Sequence, residues 1–158
     1  MAKTVDDAYS LGKSLRGNAL PDIIQAHVDA KNLPEDPTGI YFVLTAGDVT
    51  ETIRDDLSGG QDVSFCDYYC GYHVSWEMTS GKRLFYSMTG LPSACLAGCA
   101  PQENRKVSPN NDPALDAMLS VFAHELVEAV SDPESDGRRA WQDGVGCEIS
   151  SLSVLLPM

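Results

Sequence analysis

Basic residues are scarce in this chain. Its 158 residues include 11 Lys and Arg against 23 Asp and Glu, a formal charge of -12. Nucleic-acid binding needs clustered cations to neutralise phosphates, and an anionic membrane surface needs them too, so both partner classes are excluded. Long apolar runs are missing as well: no stretch reaches the ~18 residues that a bilayer span requires. Residues 1–7 are polar and no apolar core of a leader follows them, so the chain as written is not addressed for secretion. What is abundant is ordinary core material. Hydrophobic residues make up 43%, enough for a packed interior and too much for a disordered chain.

The five cysteines, Cys66, Cys70, Cys95, Cys99 and Cys147, point elsewhere. Four of them form two Cys-x-x-x-Cys pairs. Such spacing in a chain of this size suggests disulfides in an oxidising compartment or a thiolate metal site. A leaderless chain with a disulfide-like pattern is a contradiction that a fragment or an incomplete gene model would resolve. For two disulfides the local pairs Cys66–Cys70 and Cys95–Cys99 are the expectation. Crossed pairs would instead close loops of tens of residues, worth about 3–4 kcal/mol.

Patterning predicts a modest number of elements. Residues 1–17 are polar and weakly patterned. A helix is expected over 21–31, with Pro21 in its first turn and Ile23, Ile24, His27 and Val28 on one face. The run Ile40 to Thr45 reads as a buried central strand, and 46–64 as a loop. From Tyr72 to Met78 the sequence alternates: Tyr72, Val74, Trp76 and Met78 face one way, His73, Ser75 and Glu77 the other. A turn at 79–82 returns the chain as a second strand over 83–89, with Trp76, Phe85 and Tyr86 as core residues of this hairpin. Residues 90–111 form a long loop carrying the second cysteine pair.

The strongest element is a helix over 113–131, with Asp112 as N-cap and Pro113 as first residue. Asp132-Pro133 stops it, because a residue before proline is pushed out of the helical region. Leu115, Met118, Leu119, Phe122, Leu126, Ala129 and Val130 form its main apolar stripe. Only Asp116, Ser120 and Ser131 form a solvent edge, so the helix is expected to be buried on most of its circumference.

His124, Glu125 and Glu128 interrupt that apolar helix. His124 and Glu128 are four apart and stack on one face. Buried carboxylates need partners or a cation. The pattern His-Glu-x-x-Glu has the spacing of the zincin His-Glu-x-x-His helix, in which the first and fifth residues hold zinc and the Glu after the first His is the general base. This assigns His124 and Glu128 as metal ligands and Glu125 as catalytic base. Glu128 in place of an imidazole weakens zinc and tilts the site toward manganese or calcium. Glu148 is the expected third ligand, with Asp132, Asp136, Asp143 and His73 as rivals. The plainer alternative is that the glutamates face water and that His73 is a surface residue of the hairpin. His27 is read as structural.

Taken together these segments resemble the plant Exordium-like, or phosphate-induced, proteins. The resemblance is carried by Leu44-Thr45-Ala46 with Asp48-Val49, by Phe65-Cys66 through Cys70-Gly71-Tyr72-His73, and by Cys95-Leu96-Ala97-Gly98-Cys99-Ala100. It continues through Ser108-Pro109-Asn110, the run 118–125 with Glu128 and Asp132-Pro133, and Ala140-Trp141 with Glu148-Ile149. It covers residues 9–149 of a single partial domain over 1–158, with a divergent tail over 150–158. There Ser151 and Ser153 stand where the family continues with an Asp and a Cys, and Cys147 is an addition. The resemblance implies a secreted, cell-wall or apoplastic protein linked to growth, with an extracellular partner and no established reaction.

The expected fold is α+β: a small mixed sheet with a hairpin, packed on a buried zincin-like helix. Three functions compete. One is a zincin-like hydrolase of the peptidase type or its inactive relic, holding zinc or another divalent cation; little or no turnover is expected from it. Another is a secreted, non-catalytic signalling or wall-binding protein with a buried ion network. The third is a structural zinc domain with the four paired cysteines as thiolate ligands.

Overall fold

The computed structural model describes residues 2–55, 60–102, 105–131 and 133. Its elements run β1 (Ser14–Arg16), α1 (Ala19–Asp29), β2 (Ile40–Thr45), β3 (Thr50–Asp55), β4 (Gln61–Ser64), β5 (Gly71–Glu77), β6 (Arg83–Gly90), α2 (Leu96–Cys99) and α3 (Pro113–Ser131). They build two three-stranded sheets, ordered β1-β3-β4 and β2-β6-β5. β1 runs parallel to β3 and β2 parallel to β6, whereas β3-β4 and β5-β6 are antiparallel. The α+β class with small mixed sheets is therefore present.

The second sheet is covered on both faces. Leu84, Tyr86 and Met88 of β6, with Val74 and Trp76 of β5, face a core shared with Leu20, Ile24 and Val28 of α1 and Leu15 of β1. The opposite face carries His73, Ser75, Phe85, Ser87 and Thr89, and α3 packs across β5 and β6. Gly81, at φ +79°, supplies the left-handed residue that the 79–82 turn needs. Its amide bonds the Met78 carbonyl, and the Met78 amide bonds Lys82, which fixes the hairpin register.

Residues 46–64 are not one loop: β3 and β4 lie in them, and β1 lies in the polar start. These strands were hidden because TETIRD and QDVS alternate polar residues on a half-exposed face. β2 has the expected bounds but is an edge strand among the described residues, and Leu44 is 55% exposed. A helical turn, α2, forms inside the long loop.

α3 departs furthest from expectation. Its bounds are as expected, but it is turned. Asp116, Ala117, Met118, Glu125 and Ala129 are buried, while Leu115, Leu119, Leu126, Val127 and Val130 are exposed. The helix is not buried around most of its circumference, and Asp116 is not a solvent-edge residue. The cause is the partner surface. Beneath α3, β5 and β6 offer Gly71, Ser87 and Thr89, which allow close approach, and the aromatic contact lies to one side, where Phe122 packs on Phe42 of β2 with ring centroids 4.4 Å apart.

Candidate metal centre

Three local devices place the helix. The Asp112 carboxylate accepts the amides of Ala114 at 3.2 Å and Leu115 at 3.1 Å, the N-cap read from sequence. In the first turn, Asp116 accepts bonds from the Ser108 hydroxyl and the Asn110 side chain. The Ser108 bond is the larger cause holding its carboxyl below the usual range, and Asn110 adds to it. The Ser-Pro-Asn segment thus anchors the start of α3. The third device is Gly71, where a Cβ would lie 2.6 Å from Val121 Cγ1, 2.9 Å from the Met88 carbonyl oxygen and 3.2 Å from Glu125 Cγ. The absence of a side chain there lets α3 settle on the sheet and brings Glu125 against β5.

Behind β5, two disulfides pin α2 to the turn at 65–70. The pairs are Cys66–Cys95 and Cys70–Cys99, with Cα separations of 5.4 and 5.5 Å. They are crossed, not local, and this also removes the four-thiolate zinc reading. Cys95 caps α2 and Cys99 ends it, so the two are one helical turn apart. Side chains so placed have Cβ atoms about 5–6 Å apart, beyond the roughly 3.5–4.5 Å that a disulfide spans. The two sulfurs lie side by side, 3.7 Å apart, and each bonds across to the segment before β5. α2 in turn packs on α3.

The centre formed between α3 and β5 gathers four of the residues singled out from sequence. His73 Nδ1 lies 3.1 Å from Glu125 Oε2 and 3.6 Å from Glu128 Oε2. His124 Nε2 lies 3.1 Å from Glu128 Oε2 and 4.0 Å from Glu125 Oε1. The side chains are shielded, with relative exposures of 16% for His73, 15% for His124, 5% for Glu125 and 17% for Glu128. His73 is thus not a surface residue of the hairpin. Its strand position opposite Tyr72 and Val74 was the signal for it, since the polar face of β5 is the one α3 covers. Ser87 was missed: it is fully buried, pairs in register with His73 and therefore shares its face. Glu148, Asp132, Asp136, Asp143 and Cys147 lie outside the described residues. Two carboxylates and two imidazoles within this space fit a divalent cation in donor type and in burial. Away from the centre, His27 bonds Asp7 at 3.2 Å, the structural role expected of it.

Fold and centre define a disulfide-stapled α+β protein with a carboxylate–imidazole cluster clasped between a helix and a hairpin. The phosphate-induced protein 1 conserved region matches residues 1–153, and the chain belongs to that Exordium-like family. Protein EXORDIUM-like 3 of Arabidopsis thaliana is 32% identical over 93% of the chain and 45% of its own length. Protein EXORDIUM-like 5 of the same plant is 30% identical over 87% of the chain and 39% of its own length. The chain thus spans less than half the length of these relatives. No solved structure matches it.

Proposed function

We propose that this chain is an Exordium-like protein of the extracellular space, associated with the cell wall and growth signalling, that carries a divalent cation on α3 and does not catalyse hydrolysis. The observation that carries the metal reading is the convergence of Glu125 and Glu128 on His73 and His124 in a shielded space. Two carboxylates so close and so poorly hydrated need a positive charge between them, and a bound cation supplies it. Two disulfides suit an oxidising compartment, and a net charge of -12 suits a partner that is not a polyanion. Among the described residues no helix is long and apolar enough to cross a membrane.

The hydrolase reading is the weaker one for a geometric reason. A general base must stand free of the metal and face its open position. Glu125 is instead 4% exposed and lies against His73. The test is elemental analysis of folded protein purified without chelators, run beside peptide-library and ester-hydrolysis assays with added zinc, manganese or calcium. A stoichiometric metal with hydrolysis at background is expected. Metal-dependent turnover that vanishes in Glu125→Gln while the metal stays would overturn the non-catalytic reading.

A further inference from the structure

Resting on the metal reading above, the ligand set itself can be taken further. Zincin-like spacing assigns the cation to His124, Glu128 and a downstream carboxylate, with Glu125 as base. The donors that converge are different. One ligand atom each from His73, Glu125 and Glu128 all lie within 4.8 Å of one another. His73 Nδ1 stands 3.1 and 3.6 Å from the nearest oxygens of the two glutamates. Ligands held about 2.1 Å from a tetrahedral ion lie about 3.4 Å from each other, so the two imidazole–carboxylate separations are as short as groups sharing one ion require. His124 touches Glu128 but is 4.0 Å from Glu125.

An independent observation points the same way. The Ser87 hydroxyl is fully buried and has no hydrogen-bond partner among the described residues. It sits on β6 directly across from His73, on the same face. A buried hydroxyl is costly to leave unpaired, and a hydrated ion beside His73 would give it a partner.

We infer that the cation is held by His73, Glu125 and Glu128, a set that crosses from β5 to α3, and that Glu125 is a ligand rather than a base. His124 belongs to the surroundings of Glu128. One imidazole with two carboxylates suits a first-row ion, zinc or manganese. Calcium takes six to eight oxygens and fits this set poorly. Bound there, the ion clasps the helix to the hairpin.

The test uses the oxidised full chain, stripped of metal by dialysis and titrated calorimetrically with zinc, manganese or calcium chloride. Thermal melts with and without metal give a second readout. Circular dichroism and non-reducing peptide mapping check that each variant is folded. His73→Ala and Glu125→Gln should each weaken zinc at least tenfold and abolish the metal-induced rise in melting temperature. His124→Gln should stay within a few-fold of wild type. His73→Asn, a milder change, serves if His73→Ala does not fold. If His73 and Glu125 variants bind as wild type while His124→Gln loses the metal, the cross-element set is wrong and the metal reading survives. If wild type binds neither zinc nor manganese, both fail. Calcium bound more tightly than zinc overturns the ion class.

Discussion

Glu51 shows how a single polar residue can be kept inside this fold. It lies on β3, is 2% exposed, and joins the two sheets through tyrosines. The Tyr72 hydroxyl donates to Oε1 at 2.8 Å and the Tyr69 hydroxyl reaches Oε2 at 3.3 Å. Tyr72 in turn sits edge-on to Tyr69 and Tyr86. Burial raises the Glu51 carboxyl above its ordinary range, and the two hydroxyls oppose that shift only in part. Burial also pushes the Tyr86 phenol up to about 12. A carboxyl whose folded value exceeds its unfolded one binds its proton more tightly in the fold. Its contribution to stability is complete below the unfolded value near 4.5 and declines as pH rises through the window up to the folded value. Each unit of that window is worth about 1.4 kcal/mol. Denaturant unfolding of wild type and Glu51→Gln across pH 4 to 8 should therefore show the difference moving in favour of the variant as pH rises. A constant difference would mean that Glu51 does not change protonation on unfolding.

At the scale of elements, the telling case is α3 on its sheet. The helix was legible in length and caps, since Asp112, Pro113 and Pro133 are local signals that act within one turn. Its rotation was not, because an apolar stripe says which residues prefer burial and nothing about what surface is on offer. The sheet offers Gly71, Ser87 and Thr89 for close approach by Val121 and Glu125, and Phe42 of β2 for Phe122. The same limit explains the site: Glu125 and Glu128 were visible as anomalies on an apolar helix, whereas His73 became part of the cluster only through a contact across 52 residues. Gly71 is the hinge of this arrangement. In Gly71→Ala the new methyl meets Val121 and the Met88 carbonyl oxygen at less than 3 Å, so helix or strand must shift. A loss of about 1–3 kcal/mol in denaturant unfolding is expected, the usual cost of overpacking. Adding Val121→Ala should recover part of it, because the nearer obstacle is gone while the carbonyl stays. If the double variant is no more stable than Gly71→Ala alone, close helix approach is not what the glycine serves.

For the whole molecule, the question is what holds a short, acidic, two-sheet chain together, and the paired disulfides answer much of it. Both bridges join the turn before β5 to α2, and both have a sequence separation of 29. They constrain nearly the same loop of the unfolded chain, so their effects are linked. Closing that loop once is worth about 3.5 kcal/mol in the chain-entropy account. With one bridge formed, the other closes only the short circuit through 66–70 and 95–99, worth about 2.5 kcal/mol by the same relation. Deleting either pair alone, as Cys66→Ser with Cys95→Ser or Cys70→Ser with Cys99→Ser, should then cost about 2.5 kcal/mol. Deleting all four should cost about 6 kcal/mol, about 1 kcal/mol more than the two single-pair losses added. That sum approaches the whole stability of a small domain, about 5–15 kcal/mol, so the chain without either bridge should be partly unfolded at room temperature. Urea unfolding of the three variants measures the coupling, and non-reducing peptide mapping of wild type checks the pairing. Recovery of Cys66–Cys70 and Cys95–Cys99 peptides would reject the crossed arrangement. Losses that simply add would show that the bridges act on separate loops or through native-state contacts.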